Sequence, residues 1–374
     1  MNRHVSELPM PKALEAGASP FRIFAPSAGL LQAMEKYVSG PRASENLKLL
    51  AEGKASLVVT GQQPSFPMPL GLTLAKAATT VAIAERHCGK GRLVPLFWNG
   101  SDDSDFEEAS SQNYLRASRP PLRFSLPVSL HRKNQQVGRL AVEGCLQEIL
   151  AYLPPEYHDL ASSELGDLHA RTLARFYAED GLLVLDARSP ALAEAGKQLY
   201  ENYLESRERF AGQVDRDGDS LEKESGSRPL RRGVGERALY LLSRDRRSLP
   251  EPADYENVLR ERLREKTPRL SPNVSLRPLL QDFVLPVREV VLGPSEWEYH
   301  RQLRDSFSLL GCHFPQPWPR LQWNLRSGEP RDSSPLFDPH ARPDQVRRDL
   351  LEQASLHLED LRENRYLLRS KEES

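Results

Sequence analysis

The sequence predicts an α/β protein built on a parallel, doubly wound sheet, and three observations carry that expectation. Short β-rich apolar runs recur, several of them ending in a glycine or in an amide- or acid-rich turn. Between them lie stretches with Ala, Leu and Ile at helical spacing. The two patterns alternate instead of forming one block of strands and one of helices, which favours a parallel sheet with helices on its faces.

The elements follow in order. The first 50 residues are mixed, with Pro9, Pro11, Pro20 and Pro26 interrupting any periodicity. Ser56 to Thr60 reads as a buried strand ending at Gly61. After a Pro-studded loop, Leu72 to Arg86 reads as a helix, and Leu93 to Trp98 as a second strand closed by Asn99-Gly100. Further strands are expected at Gly181 to Asp186, after a helical stretch near Leu168–Tyr177, and at Glu289 to Leu292. Ser295 and Glu298 have the spacing of a capping box and should open a helix to about Leu310. Residues 205–250 are dense in Arg, Asp, Glu, Ser and Gly and read as a charged insertion or mobile loop. Arg342 to Ser374, with Leu350, Leu351, Leu356, Leu358 and Leu361 among charges, reads as one amphipathic helix, too short for a long coiled coil. The expected division is therefore 1–204, the first part of the core with its N-terminal segment; 205–250, the insertion; 251–325, the second part of the core; and 326–374, a linker and C-terminal helix.

A net charge of -1 gives no global field to attract nucleic acid or an anionic membrane, so an anionic ligand must be caught by local groups. No apolar run approaches the roughly 20 residues that span a bilayer, and the first residues lack the apolar segment of a secretory signal. Cys88, Cys145 and Cys312 are odd in number and widely spaced, which fits a reducing cytoplasm better than disulfides or structural zinc. His87, His300 and His313 show no metal-ligand spacing, and no metal site is expected. Asp215, Asp217 and Asp219 resemble the start of a calcium loop, but Ser220 and Gly226 stand where that loop needs Gly and Glu.

Three patches have chemical potential. Val59-Thr60-Gly61-Gln62-Gln63-Pro64 places two amides beyond a strand's carboxyl end, where open α/β sheets hold ligands. A helix N-terminus nearby could bind an anion, and Lys76 could reach it; a polar loop with a solvated lysine is the plainer reading. Ser101 to Glu108 holds five carboxylates in seven positions after the second strand. Such crowding calls for a positive partner and tends to raise one member's pKa, while a solvated acidic turn capping a helix fits equally well. Ser271 to Asp282 offers Arg277 as a planar donor fork flanked by Asn273 and Gln281, with a structural Arg–Asp pair as the plainer reading.

Taken together these segments resemble the bacillithiol biosynthesis cysteine-adding (BshC) enzymes. The matching pieces are Val58 to Pro64 with Lys76, Val94 to Trp98 with the acidic cluster, Gly181 to Asp186, Ser271 to Phe283 and Leu292 to Tyr299, in the family's order. The resemblance implies a Rossmann-like core with inserted connecting segments. It also implies a ligase that adds L-cysteine to the amine of glucosaminyl-malate. Joining a carboxyl to an amine is uphill in water, so activation by ATP (or an ADP-linked step) with Mg2+ is the chemical expectation. Thr60, Gly61, Gln62, Gln63 and Lys76 would line one wall, and Asp102, Asp103 and Asp105 a second. Asn273, Arg277, Gln281 and the Gly293, Pro294, Glu296 turn would complete the pocket. Asp103 or Asp105 would bind the amine or act as acid/base, and Lys76 and Arg277 would hold carboxylates or phosphate. Asp103→Asn should then abolish turnover at nearly unchanged Tm.

The chain departs from the family pattern at three places. Asp102-Asp103-Ser104-Asp105 stands where members carry Glu-Asp-His-Asp, and Met68-Pro69 where they are glycine-rich. The C-terminal tail replaces a long coiled coil, leaving monomer or homodimer open. Two other functions fit the same residues: a non-catalytic paralogue that binds a nucleotide or sugar-malate ligand, and a nucleotidyltransferase-like enzyme acting on another substrate.

Overall fold

The computed structural model describes residues 22–86, 92–116, 119–127, 132–142, 144–145, 154–160, 164–321 and 342–372. Cys88, His87 and most of the expected 326–342 linker lie outside the described residues. The chain runs through α1 (Ala28–Glu35), α2 (Pro41–Ala51), β1 (Ala55–Gln62), α3 (Gly71–Arg86), β2 (Arg92–Asn99) and α4 (Phe106–Ala109). A hairpin follows, β3 (Ser111–Arg116) and β4 (Arg119–Ser125), then α5 (Leu165–Phe176), β5 (Leu183–Asp186), α6 (Pro190–Ala195) and α7 (Lys197–Ser225). The last part holds β6 (Leu239–Leu242), β7 (Arg247–Ser248), α8 (Tyr255–Arg264), β8 (Leu270–Pro272), α9 (Arg277–Val284), β9 (Val287–Leu292), α10 (Pro294–Leu309), β10 (Gln316–Pro319) and α11 (Pro343–Glu372).

Five strands form one parallel sheet in the order β10-β9-β1-β2-β5. The chain moves outward from β1 through β2 to β5, then returns to build β9 and β10 on the other side of β1. The doubly wound sheet expected from the alternation is the one observed, with its reversal between β1 and β9. Both faces are covered, which is why the strands read as unbroken apolar runs. Val58, Leu93 and Phe97 join α3, α5 and α11 in one core, while Leu57, Val59, Val94, Leu96 and Trp98 join α1, α2, α6, α7, α9 and α10 in the other.

Three expectations change. The first 50 residues are not irregular throughout: α1 and α2 pack on the sheet, with Pro41 at the first turn of α2, while Pro9, Pro11 and Pro20 lie outside the described residues. Residues 205–225 are no mobile loop. They continue α7, a 29-residue helix that buries Phe210, Val214 and Leu221 and ends at Gly226 in the left-handed conformation (φ 73°). Its charges cover a narrow apolar stripe that composition alone hides. Helix α10 starts at Pro294, and Glu296 rather than Glu298 reaches back to its first backbone N–H, at 2.6 Å from Gly293 N.

The C-terminal amphipathic helix is present as α11. Leu350, Ala354, Leu358 and Leu361 bury against α3, Leu356 points away, and Arg347 pairs with Asp180 at 3.0 Å. Cys145 and Cys312 are free thiols. No helix among the described residues is long and apolar enough to cross a membrane.

Candidate active site at the sheet reversal

The site grows out of the point where the strand order reverses. Backbone pairing of β1 with β9 stops at Val59 and Val290, whereas β1 stays paired with β2 as far as Gln62 and Asn99. Beyond Val59 the two strands no longer pair, at the carboxyl ends where doubly wound sheets hold ligands. A cavity of about 490 Å³ opens there, lined by Thr60, Gly61, Gln62 and Gln63 on the β1 side. Thr60 Oγ1 donates to the Val291 carbonyl at 2.9 Å, replacing a lost ladder bond. Gly61 is required by crowding: a Cβ there would stand 3.0 Å from the Trp98 carbonyl oxygen and 3.3 Å from the Trp98 Cβ.

Lys76 behaves differently from either reading of the sequence. It is neither solvated nor available to an anion, since its side chain is 3% exposed and pairs with Glu296 at 2.6 Å. The same ammonium donates to the Gly61 carbonyl and to Gln62 Oε1, each at 2.8 Å, so all three N–H groups are used. It ties the end of β1 to the start of α10 across the reversal. Gly293 permits this, because a Cβ there would meet Glu296 Oε2 at 3.1 Å. Glu296 lines the cavity, while Gly293 and Pro294 stand behind it. The start of α3 takes no part, because Phe66, Met68 and Leu70 before it are buried in the fold. The helix N-terminus expected to meet an anion there is absent from the cavity wall.

The acidic cluster divides by partner. Asp102 is buried behind the wall, where Oδ2 accepts from Ser271 Oγ at 2.5 Å and meets Arg277 Nη2 at 3.4 Å. Asp103 lines the cavity and lies 3.4 Å from Arg277 and 3.7 Å from Arg247. Burial would raise its pKa, but Arg277 and then Arg247 outweigh burial and hold the carboxyl below its usual range. Asp103 is therefore a fixed negative charge, suited to binding an ammonium and poorly suited to taking a proton near neutrality. Asp105 lines the cavity and caps α4 by accepting from the Glu108 N–H at 3.2 Å. Glu108 is the member that crowding raises, through burial first and Asp105 second. It lines the cavity and accepts from Gln62 Nε2 at 2.8 Å.

The basic residues of the lining adjoin the acidic cluster, and Arg231 and Arg247 come from the segment read as an insertion. Arg247 is buried, stacks 4.0 Å over the Tyr240 ring and donates to the Pro272 carbonyl at 2.7 Å. Arg231 lines the cavity from an exposed position. Its loop is clamped by Arg228, which pairs with Asp215 at 2.8 Å and with Asp219, and by the Leu230 N–H donating to Gln302 Oε1 at 2.8 Å. Asp215 and Asp219 of the calcium-like run are taken up in these pairs, and Asp217 accepts from Gln213 Nε2 at 2.7 Å. Arg277 and Gln281 line the cavity from α9, and the Arg–Asp pairing read as structural is also part of the wall. Asn273 lines it too, but its amide donates to the Val234 carbonyl at 2.9 Å and accepts from Ser275, so it shapes the turn. Arg231, Arg247, Tyr240 and Glu108 are additions to the candidate site; only Glu108 was visible beforehand, as a member of the acidic run.

Two histidines are buried neutral. His169 Nδ1 lies 3.1 Å from Asn99 Oδ1, and burial pulls its pKa down to about 3. His300, at the cavity, is pulled down to about 4, again by burial. Both folded values lie below the unfolded one, so the stability they support is full above about pH 6.5 and falls as the pH drops towards the folded values. Asp282, raised to about 7 by burial, acts in the opposite direction. Replacing His169 with Gln is expected to flatten the fall in unfolding free energy below about pH 6.5 by about 1 kcal/mol per pH unit. Denaturant titrations at several pH values check this, and an unchanged slope would contradict the assignment.

With the geometry in place, comparison with known proteins is informative. Residues 27–321 match the family described as bacillithiol biosynthesis BshC, N-terminal Rossmann-like domain. Three curated proteins called "Putative cysteine ligase BshC" are similar to this chain. The one from Thermus thermophilus is 29% identical over 302 residues, covering 76% of this chain and 60% of its own length. That from Natranaerobius thermophilus is 24% identical over 327 residues, covering 79% and 60%. That from Carboxydothermus hydrogenoformans is 26% identical over 348 residues, covering 84% and 63%. The chain thus spans about 60% of the length of the curated relatives it matches. A solved tryptophanyl-tRNA synthetase from Giardia lamblia aligns at 12% identity over 88% of this chain and 72% of its own, with a TM-score of 0.29, too low to equate the folds. On the match across residues 27–321, the chain belongs to the BshC family and contains its N-terminal Rossmann-like domain.

Proposed function

We propose that the protein joins L-cysteine to the amine of glucosaminyl-malate, the last step of bacillithiol biosynthesis, using ATP to activate the cysteine carboxyl. The observation that carries this reading is the mixed charge of the cavity lining: the carboxylates of Asp103, Asp105 and Glu108 share it with the guanidinium groups of Arg231, Arg247 and Arg277. A ligand with an ammonium group and carboxylates complements both kinds of group, and glucosaminyl-malate is such a ligand. The volume of about 490 Å³ suits a small molecule, and a drug-sized site is commonly several hundred Å³. The names of the relatives support cysteine as the other reactant.

In this reading Asp103 holds the ammonium, with its negative charge kept by Arg277 and Arg247. Arg231 meets the malate carboxylates. Lys76 keeps the two strand ends at a set distance instead of touching substrate. The acids do not converge as a metal cradle, because Asp102 and Asp103 turn to Arg277, and no group of three metal-binding side chains occurs among the described residues. Magnesium would therefore arrive with the nucleotide's phosphates, and no step is assigned to a protein-held ion.

The test incubates the pure protein with glucosaminyl-malate, cysteine and ATP and follows the thiol product by mass. Product that requires all three reactants is the expected result. Binding of glucosaminyl-malate without product would favour the non-catalytic paralogue, a reading that the engagement of Lys76 by Glu296 also suits. Pyrophosphate release without cysteine would favour a nucleotidyltransferase.

A further inference from the structure

We propose that Glu108 is the catalytic residue that takes the proton from the substrate amine, an assignment that rests on the ligase reading above. Four other carboxylates stand at or behind the cavity wall, and each is engaged in its own way. Asp102 is held by Ser271 and Arg277, Asp103 by Arg277 and Arg247, and Glu296 by Lys76 and the Gly293 N–H. Asp105 is engaged as the cap of α4, accepting the Glu108 N–H at 3.2 Å. Glu108 alone among them is anchored by a side-chain amide, with Oε1 accepting from Gln62 Nε2 at 2.8 Å. Its second oxygen has no hydrogen-bond partner among the described residues, and Glu108 lines the cavity. Although Glu108 is exposed, its partial desolvation and the neighbouring Asp105 also push its carboxyl above the usual glutamate range, towards the matching of acid and base that proton transfer favours.

Trp98 and His300 line the same cavity at 3% and 4% exposure, and Trp98 Nε1 and His300 Nδ1, both shielded from solvent, have no hydrogen-bond partner among the described residues.

The substrate ammonium gives one proton to the Glu108 carboxylate, which becomes a carboxylic acid, and the amine keeps its lone pair. That pair attacks the carbonyl carbon of cysteine activated as a mixed anhydride with phosphate or a nucleotide. The C–N bond forms and the bond from the acyl carbon to the bridging oxygen breaks. The electron pair leaves with the phosphate or nucleotide, and the nitrogen's second proton passes to solvent.

The experiment compares wild type with E108Q, E108D and D105N across about pH 5 to 9. The rate is expected to rise with pH through an inflection above the usual glutamate range. E108Q should lower kcat by about 100-fold or more and remove the inflection, while KM for the amine and the Tm change little. E108D should keep a displaced inflection. E108Q turnover within about threefold of wild type, or an inflection lost in D105N instead, would overturn the assignment. If the wild-type chain makes no product, the ligase reading falls and Glu108 is judged by binding alone. Calorimetry with glucosamine in buffers of different ionisation enthalpy near pH 6 should then show a proton released from wild type and none from E108Q. Equal proton counts would reject Glu108 as the group facing the amine.

Discussion

Replacing Lys76 with Met is expected to cost about 3 kcal/mol of stability and to abolish ligand binding at the sheet reversal. The side chain is 3% exposed, and methionine fills nearly the same space, so the loss is electrostatic rather than a cavity. Removing the ammonium strands Glu296, whose side chain is 25% exposed and retains only the Gly293 N–H. It also leaves the Gly61 carbonyl and Gln62 Oε1 without their donor. The cost belongs at the low end of the range for a broken buried pair, roughly 3–5 kcal/mol, because Glu296 is partly solvated. Function should suffer more than stability does, since Gln62 is also the anchor of Glu108. Thr60→Val, which removes only the bond to Val291, should cost about 1 kcal/mol and serves as the comparison. Chemical denaturation of the two variants decides the matter: K76M as mild as T60V would mean that the ammonium is no tie.

Much of the fold could be read before the structure because a strand covered on both faces must be apolar along its whole length. Leu57 to Val59, Val94 to Trp98 and Leu183 to Leu185 are such runs, and each lies in the main sheet. The edge strand β10, Gln316–Pro319, was not legible, since two of its four residues are prolines, which only an edge tolerates easily. α7 was misread because Phe210, Val214 and Leu221 are few among many charges. The site was legible as positions but not as roles. The acidic run is local, while its counter-charges come from Arg247 and Arg277, over 140 residues away on other elements. Lys76 could not be oriented either, because α3 buries 13 of its 16 residues and so shows no polar face from which a direction might be inferred. Asp103→Asn is now expected to lower the Tm, because that carboxylate faces two arginines and removing its charge leaves them facing each other.

Arg277→Met should be the most damaging change in the site, at about 3–5 kcal/mol. Arg277 is the shared partner of Asp102 and Asp103, at 3.4 Å from each. Without it Asp102, only 3% exposed, keeps the Ser271 hydroxyl alone, and Asp103 keeps Arg247 at 3.7 Å. Two carboxylates would then share one poorly solvated corner with too little positive charge. Adding D102N and D103N to R277M should restore about 1–3 kcal/mol, because the penalty is uncompensated charge and not lost volume. The pH dependence separates this from packing. Asp103 has a folded pKa below the ordinary carboxylate value of 3.8, so its ion pair contributes in full above that value and is lost as the pH falls through the folded one. In R277M burial acts against a weaker positive field, and the Asp103 pKa rises. The stability gap between wild type and R277M should therefore be widest above about pH 5 and should narrow in acid as Asp103 takes up its proton. A gap that stays constant from neutrality into acid would show that Arg277 serves the site by its shape, and that Asp103 is not the fixed charge on which ammonium binding depends.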